Sequence, residues 1–296
     1  MWFLYAMIGN ILWSASDVAN SVLVKRFEKN GFLFAWVQSV FDLIVLAIVA
    51  VFFDVHISVG PFLWLAMGGV IAYCGFQVYI AVLDRIDVSV MHSAWVFLAI
   101  FVSIGGYVFF AERLTPMQIA GCVLSLGGVL YLSFWHRHVS LLRTVFLLSV
   151  LGLLYSPVFL IQKKLMIDGL NPMPVFFWPV LVQKMLAFLL PWTTSFGQRN
   201  RAIWRRMTIR FSLINLIICT FTTFGCLALT LSYRDGLVSL VTVTENSQPF
   251  IAMALAALLT LIIPQYAPKE LLTRESVTIK LFSFTAVTAG MILLVI

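Results

Sequence analysis

The sequence predicts an all-α polytopic membrane protein: ten transmembrane helices, arranged as two inverted five-helix repeats. Three observations predict it. Of 296 residues, 62% are apolar and only 10% are charged, whereas an ordinary soluble domain carries about 25% charged residues. Ten apolar stretches approach or exceed the roughly 20 residues that a helix needs to cross a bilayer core of about 30 Å. Short motifs also recur, in order, between the two halves of the chain. The period-2 alternation of a membrane β-barrel is missing, so helices are the reading.

The stretches run 2–24, 32–53, 61–83, 88–111, 116–135, 144–162, 173–192, 211–232, 236–263 and 277–296. The first begins "MWFLYAMIGNILW". It has no basic leader and no small-residue cleavage site, so it reads as a membrane helix rather than a signal peptide. The second is interrupted only by Asp42, in "SVFDLIV". The fourth opens near His92 and Trp95, and the seventh carries Trp178 and Lys184. The ninth contains "TVTENSQPF", with Glu245, Asn246 and Pro249. Cys74, Cys122, Cys219 and Cys226 all lie inside apolar stretches without zinc-ligand spacing, and read as small packing residues.

The repeats appear as matched offsets. "LWS" at 12–14 matches "LYS" at 154–156, and "FAW" at 34–36 matches "FFW" at 176–178, each 142 positions on. "CGF" at 74–76 faces "FGC" at 224–226, 150 positions on. "ERLT" at 112–115 matches "ESVT" at 275–278, and Gly127 matches Gly290, 163 positions on. The growing offset fits loop insertions in the second half. The units are residues 1–135 and 144–296. Five helices per unit, an odd number, invert the second relative to the first.

One segment resembles a known group. "WVFLAIFVSIGGYVFFAERLTPMQIAGCVLSLGGVLYL" (95–132) looks like the end of the first half in the EamA-type branch of the drug/metabolite transporter (DMT) superfamily. An apolar helix there ends in Ala-Glu-Arg-Leu-Thr, and a Gly-rich helix follows. "NILWSASDVAN" resembles the first helix of that group, and Pro249 the proline of its ninth; the counterpart of Pro249 in the first half is Ala99. The resemblance implies a ten-helix basket around a cavity that moves small metabolites by alternating access.

Basic residues orient the chain. Loops after the odd-numbered stretches, together with Lys280 in the first turn of the tenth, carry 14 Lys and Arg; those after the even-numbered ones carry 4, namely Arg113, Lys163, Lys164 and Arg234. Positive loops stay inside, which puts both termini outside the cytoplasm in a multi-pass inner (plasma) membrane protein. The densest cluster, "RNRAIWRRMTIR", then meets the anionic inner leaflet.

Ionisable groups inside a bilayer are costly and mark functional sites. The offset of 142 sets Asp42 opposite Lys184, so the two halves carry opposite charges at equivalent depth. Either the two groups pair and tie the halves together, or Asp42 takes up a proton and couples it to transport. Pro249 cannot donate a hydrogen bond, so the helix opens near Glu245 and can present backbone oxygens to a polar ligand; otherwise Glu245 solvates the helix start. Trp13, Asp17 and Asn20 share one helix face. His92 and Trp95 make a similar pair, and His92 titrates near neutral pH. Trp13, Asp17, Trp36, Trp95, Tyr155, Trp178, Glu245 and Asn246 are the substrate-binding candidates. Asp42, Lys184 and His92 are the coupling candidates. Aromatics around a carboxylate suit an ammonium group.

No phosphate-cradling G-x-x-x-x-G-K-S/T run occurs, so transport is driven by a gradient or by exchange. The expected function is secondary transport of a small polar metabolite, an amino acid or an amine. The expected partners are that substrate, the lipid bilayer and protons. No nucleic acid, cofactor or metal is expected, and the fused halves act as a monomer. Two other classes compete. A lipid-linked carrier flippase would gather Lys163, Lys164 and Lys184 into one basic headgroup patch. An intramembrane enzyme would need a constellation such as H-E-x-x-H or G-x-S-x-G, and neither occurs.

Overall fold

The computed structural model describes residues 1–26, 31–83, 93–134, 141–190, 207–262 and 274–296, and every regular element among them is helical. In chain order these are α1 (Trp2–Arg26), α2 (Gly31–Phe52), α3 (Val59–Leu83), α4 (Ser93–Phe110), α5 (Pro116–Phe134), α6 (Leu141–Ile167), α7 (Pro172–Leu189), α8 (Ile209–Asp235), α9 (Val238–Thr244), α10 (Gln248–Ile262) and α11 (Arg274–Val295). By length and composition, α2, α3, α6, α7, α8 and α11 can each cross a membrane, and α4 and α5 are shorter apolar helices.

The outer surface is apolar. On α2, Ile44, Ile48 and Phe52 are exposed while Asp42, Val45 and Val49 are buried. The polar face points inward and the lipid-like face outward, the reverse of a soluble helix.

Local chemistry sets the helix ends. Thr115 and Gln118 form a reciprocal capping box at the start of α5: Gln118 N–H donates to Thr115 Oγ1 at 3.2 Å, and Thr115 N–H to Gln118 Oε1 at 3.0 Å. Asn171 caps α7 and Thr208 caps α8. α6 runs past its expected end at 162. It stops where Gly169 takes a φ of 93° and the N–H groups of Gly169 and Leu170 return to Met166 and Leu165, the left-handed C-terminal turn that glycine favours.

The ninth stretch, expected as one helix over 236–263, is broken. α9 ends at Thr244, a 3₁₀ turn spans Glu245–Ser247, and α10 starts at Gln248. Pro249 has no N–H to give the Glu245 carbonyl. That carbonyl instead accepts from Gln248 N–H, one residue nearer, which tightens the turn. α4, with Ala99 at the equivalent place, is continuous.

Packing sets α1 against α8 and α10, and α6 against α3 and α4. α3 also meets α7, α2 meets both α7 and α8, and α5 lies along α11. The α5–α11 contact is close because both helices present glycine: a side chain at Gly121 would meet the Gly290 carbonyl at 2.7 Å.

Candidate functional site

A cavity of about 280 Å³ lies between α1, α2, α3, α4, α6, α7 and α8, with Gln248 of α10 at its edge. α1 supplies Trp13, Ser16, Asp17 and Asn20 to its wall, a stripe at i, i+3, i+4 and i+7 that marks one face of a helix. The stripe is held from behind. Trp13 Nε1 donates to the Thr222 carbonyl at 3.3 Å, and Ser16 Oγ lies 2.7 Å from Thr222 Oγ1. Gln38 Nε2 of α2 donates to Asn20 Oδ1 at 2.5 Å.

One side of the cavity is aromatic. Phe76 stacks on Tyr79 at 6.3 Å, Tyr79 on Trp95 at 6.2 Å, and Trp95 meets Tyr155 edge-on at 5.7 Å. Two glycines let the aromatics lie close to neighbouring backbones. A side chain at Gly75 of α3 would come within 2.7 Å of the Tyr155 ring, and one at Gly225 of α8 within 2.7 Å of Trp13. Gly75 and Gly225 are the glycines of the "CGF" and "FGC" motifs. Trp13 and Tyr155 are the aromatics of "LWS" and "LYS".

Three ionisable charges line the wall: Asp17, Asp42 and Lys184. Lys184 Nζ lies 2.7 Å from Asp42 Oδ2, with the Asp42 side chain 4% exposed and that of Lys184 21%. Among the described residues, the carboxylate of Asp17 lines the cavity with neither a hydrogen bond nor an ion pair. With both acids ionised, the described residues of the wall carry one uncompensated negative charge.

The remaining candidates lie elsewhere. Trp36 and Trp178, expected to line the cavity, sit outside its wall. Trp36 is buried against Phe188, stacked at 6.1 Å, and its indole N–H donates to the Phe188 carbonyl at 3.0 Å. Trp178 donates to the Val55 carbonyl at 2.9 Å and packs edge-on against Phe62 and Phe177. Both tie a helix to its neighbours through a donor that a buried indole must place somewhere. Glu245 and Asn246 are also behind the wall. Tyr233 Oη donates to Glu245 Oε1 at 2.6 Å, and Asn246 Nδ2 donates to the Val243 carbonyl at 2.9 Å. The carbonyls of the broken span are already taken: Thr244 O accepts from Asn10 Nδ2 at 2.9 Å. His92 lies outside the described residues.

Several wall residues carried no clear signal in the sequence. Tyr79, Tyr233, Gln162 and Gln183 line the cavity. A tyrosine or amide inside an apolar helix is uncharged and draws little notice. Glu112, quoted only as part of a motif, has a defined task. Its carboxylate accepts from the N–H groups of Val238 and Ser239 at 2.8 and 3.1 Å and from Ser239 Oγ at 2.6 Å, satisfying donors at the start of α9. Gly106 makes room for it, since a side chain there would come within 2.7 Å of Glu112 Oε2. On the other side of the same corner, Lys163 Nζ donates to the carbonyls of Tyr233 and Gly236 at 2.7 and 2.8 Å.

An aromatic-walled cavity with a few charged and amide groups, inside an apolar helical shell, fits a membrane carrier, and the comparisons agree. Residues 1–134 match the EamA-like transporter family. Over those residues the chain is similar to that family. EamA-like proteins are membrane transporters of the DMT superfamily, and the resemblance over 95–132 falls within the matched residues. A solved crystal structure, described only as that of a protein, superposes on this one with a TM-score of 0.70 at 14% identity. The alignment covers 99% of this chain and 96% of the other. At that identity it speaks for the fold alone, over the whole chain, second half included. No curated protein matches in sequence.

Proposed function

We propose that this EamA-like protein carries a small organic cation, an amine or ammonium compound with an apolar body, across the membrane by alternating access. One observation carries the reading: among the described residues, Asp17 is unpaired and shares the cavity wall with Trp95, Tyr79 and Tyr155, while Asp42 is neutralised by Lys184. A carboxylate among aromatic faces attracts a cation by charge and by the ring quadrupoles together. A zwitterionic amino acid would find its ammonium matched but its own carboxylate opposed by the net charge of the wall. Protons or exchange drive the cycle.

Two inverted units, 1–135 and 144–296, form the ten-span carrier in this proposal. The packing supports it. α1–α8 mirrors α6–α3 when the halves are exchanged, and Trp13 against Gly225 mirrors Tyr155 against Gly75. The basic-residue split supports placement in the inner membrane with both termini outside. The flippase reading loses its basic patch, because its three lysines hold three different partners: Lys163 the α8–α9 corner, Lys164 Asp168, and Lys184 Asp42.

The test is thermal stability of the purified protein with tryptamine and with tryptophan, which share a ring system and differ by a carboxylate. Bound ligand stabilises by mass action, about 2.7 kcal/mol at a hundred times Kd. Tryptamine should raise the melting temperature, tryptophan less, and Asp17→Asn should abolish the tryptamine shift. Equal shifts from both ligands, unchanged in Asp17→Asn, overturn the reading.

A further inference from the structure

Behind the cavity wall, Glu245 sits at the one interruption of helix in the ninth stretch and is 1% exposed. No lysine or arginine among the described residues reaches it; the titratable groups that interact with it are Tyr233 and Cys226, both of α8. α1 faces the same turn with Asn10, an amide that bonds Thr244 and Ser247. Apolar side chains of α4, α5 and α11, including Ala99 and Leu294, pack around Val243 and Phe250 on either side. An ionised carboxylate buried without a cation is costly, and its usual relief is a proton. The only described donor to its carboxylate is the Tyr233 hydroxyl, at 2.6 Å, and Tyr233 is itself part of the cavity wall. Tyr233 thus touches both the carboxylate and the cavity.

We propose that Glu245 is a proton-binding site outside the cavity, joined to it through the hydroxyl of Tyr233. A proton arriving from cavity water bonds to Tyr233 Oη as the hydroxyl's original proton passes to Glu245 Oε1. Tyr233 gains one proton and loses one, so it is neutral before and after, and the water that gave the proton is left as hydroxide or returns from hydronium to water. The product is a neutral Glu245 acid, whose new O–H can donate back to Tyr233 Oη once the tyrosine hydroxyl turns to the cavity. Release runs the same steps in reverse. The site rests on the cavity being the transport path, and it separates the two tasks: Asp17 meets the cation in the cavity, while Glu245 stores charge where the cation does not reach.

The experiment is infrared difference spectroscopy of the full-length protein in bilayers, stepped from alkaline to acid pH without substrate. A protonated carboxyl gives a C=O stretching band that a carboxylate lacks. The wild type should gain a band that is lost in Glu245→Gln and retained in Asp17→Asn. In Tyr233→Phe the same band should move to higher frequency, because the hydroxyl bond is gone, and appear more slowly after the step. A spectrum that Glu245→Gln leaves unchanged overturns the site, and a band untouched by Tyr233→Phe overturns the link to the cavity. The readout needs no ligand. Loss of the tryptamine shift in Asp17→Asn with no Glu245 band sinks this proposal alone, and a Glu245 band without any tryptamine shift sinks the cation reading alone.

Discussion

Asp42 of α2 and Lys184 of α7 meet at 2.7 Å, one group from each half of the chain, at the edge of the central cavity. Helices that face lipid have no hydrophobic drive to pack against each other, so polar contacts and close packing carry their association. A charged pair spanning the halves therefore does two things: it fastens α2 to α7 and removes one negative charge from the cavity. In the proposed reading, it also leaves Asp17 as the group that decides the sign of the ligand.

Breaking that pair from one side should be costly. Asp42→Asn leaves Lys184 without its counter-charge, and Lys184→Met leaves Asp42; each is expected to destabilise by roughly 3–5 kcal/mol, toward the lower end because Lys184 opens on the cavity. The double variant, Asp42→Asn with Lys184→Met, should recover much of the loss. Melting temperatures of the three variants check this. A stable Asp42→Asn protein with weakened gradient-driven uptake would make Asp42 a proton carrier instead.

Gly75→Ala and Gly225→Ala should behave alike. Each adds a carbon within 2.7 Å of an aromatic ring, Tyr155 in one case and Trp13 in the other. Overpacking of this kind costs about 1–3 kcal/mol. The displaced ring must move toward the cavity, so both variants should also reduce the tryptamine-induced shift in melting temperature. Gly127→Ala is the control, because nothing lies within 4 Å of that position.

The corner between α8 and α9 should depend on Glu112 and Lys163 separately. Glu112→Ala leaves the N–H groups of Val238 and Ser239 without their acceptor, and Lys163→Met leaves two carbonyls without their donor. Hydrogen bonds to a charged group contribute about 1.5–3 kcal/mol. Both losses should appear as lower melting temperature and as faster amide exchange at residues 236–241. Glu112→Gln keeps one acceptor oxygen and should cost less than Glu112→Ala.

The orientation rests on charge alone and has a direct check. A reporter active only in the cytoplasm, fused after Ile296, should be silent if the positive-inside bias sets the topology. Strong activity there would reverse the membrane orientation while leaving the cavity and its chemistry unchanged.

The helical membrane class was legible because it depends on composition and segment length. The water-free core of a bilayer forces backbone polar groups into helices, so each long apolar run declares its own structure. The Asp42–Lys184 pair was legible for a related reason: two charges in apolar helices need a partner, and the offset between the halves brought them to equivalent depth. Pro249 announced the break at Glu245 through its missing N–H. Tertiary structure alone decided what lines the cavity. Trp36, Trp178, Glu245 and Asn246 carry the residue types of a binding site, yet they lie outside the cavity wall and bond Phe188, Val55, Tyr233 and Val243, with the Asn246 side-chain oxygen left without a partner among the described residues. Tyr79 and Tyr233, which look like ordinary aromatics in the sequence, face the cavity. Whether an aromatic or a carboxylate meets a ligand or a neighbouring helix depends on the rotation of each helix in the bundle. That rotation is set by contacts hundreds of residues apart, such as Asn10 with Thr244, and no local pattern encodes it.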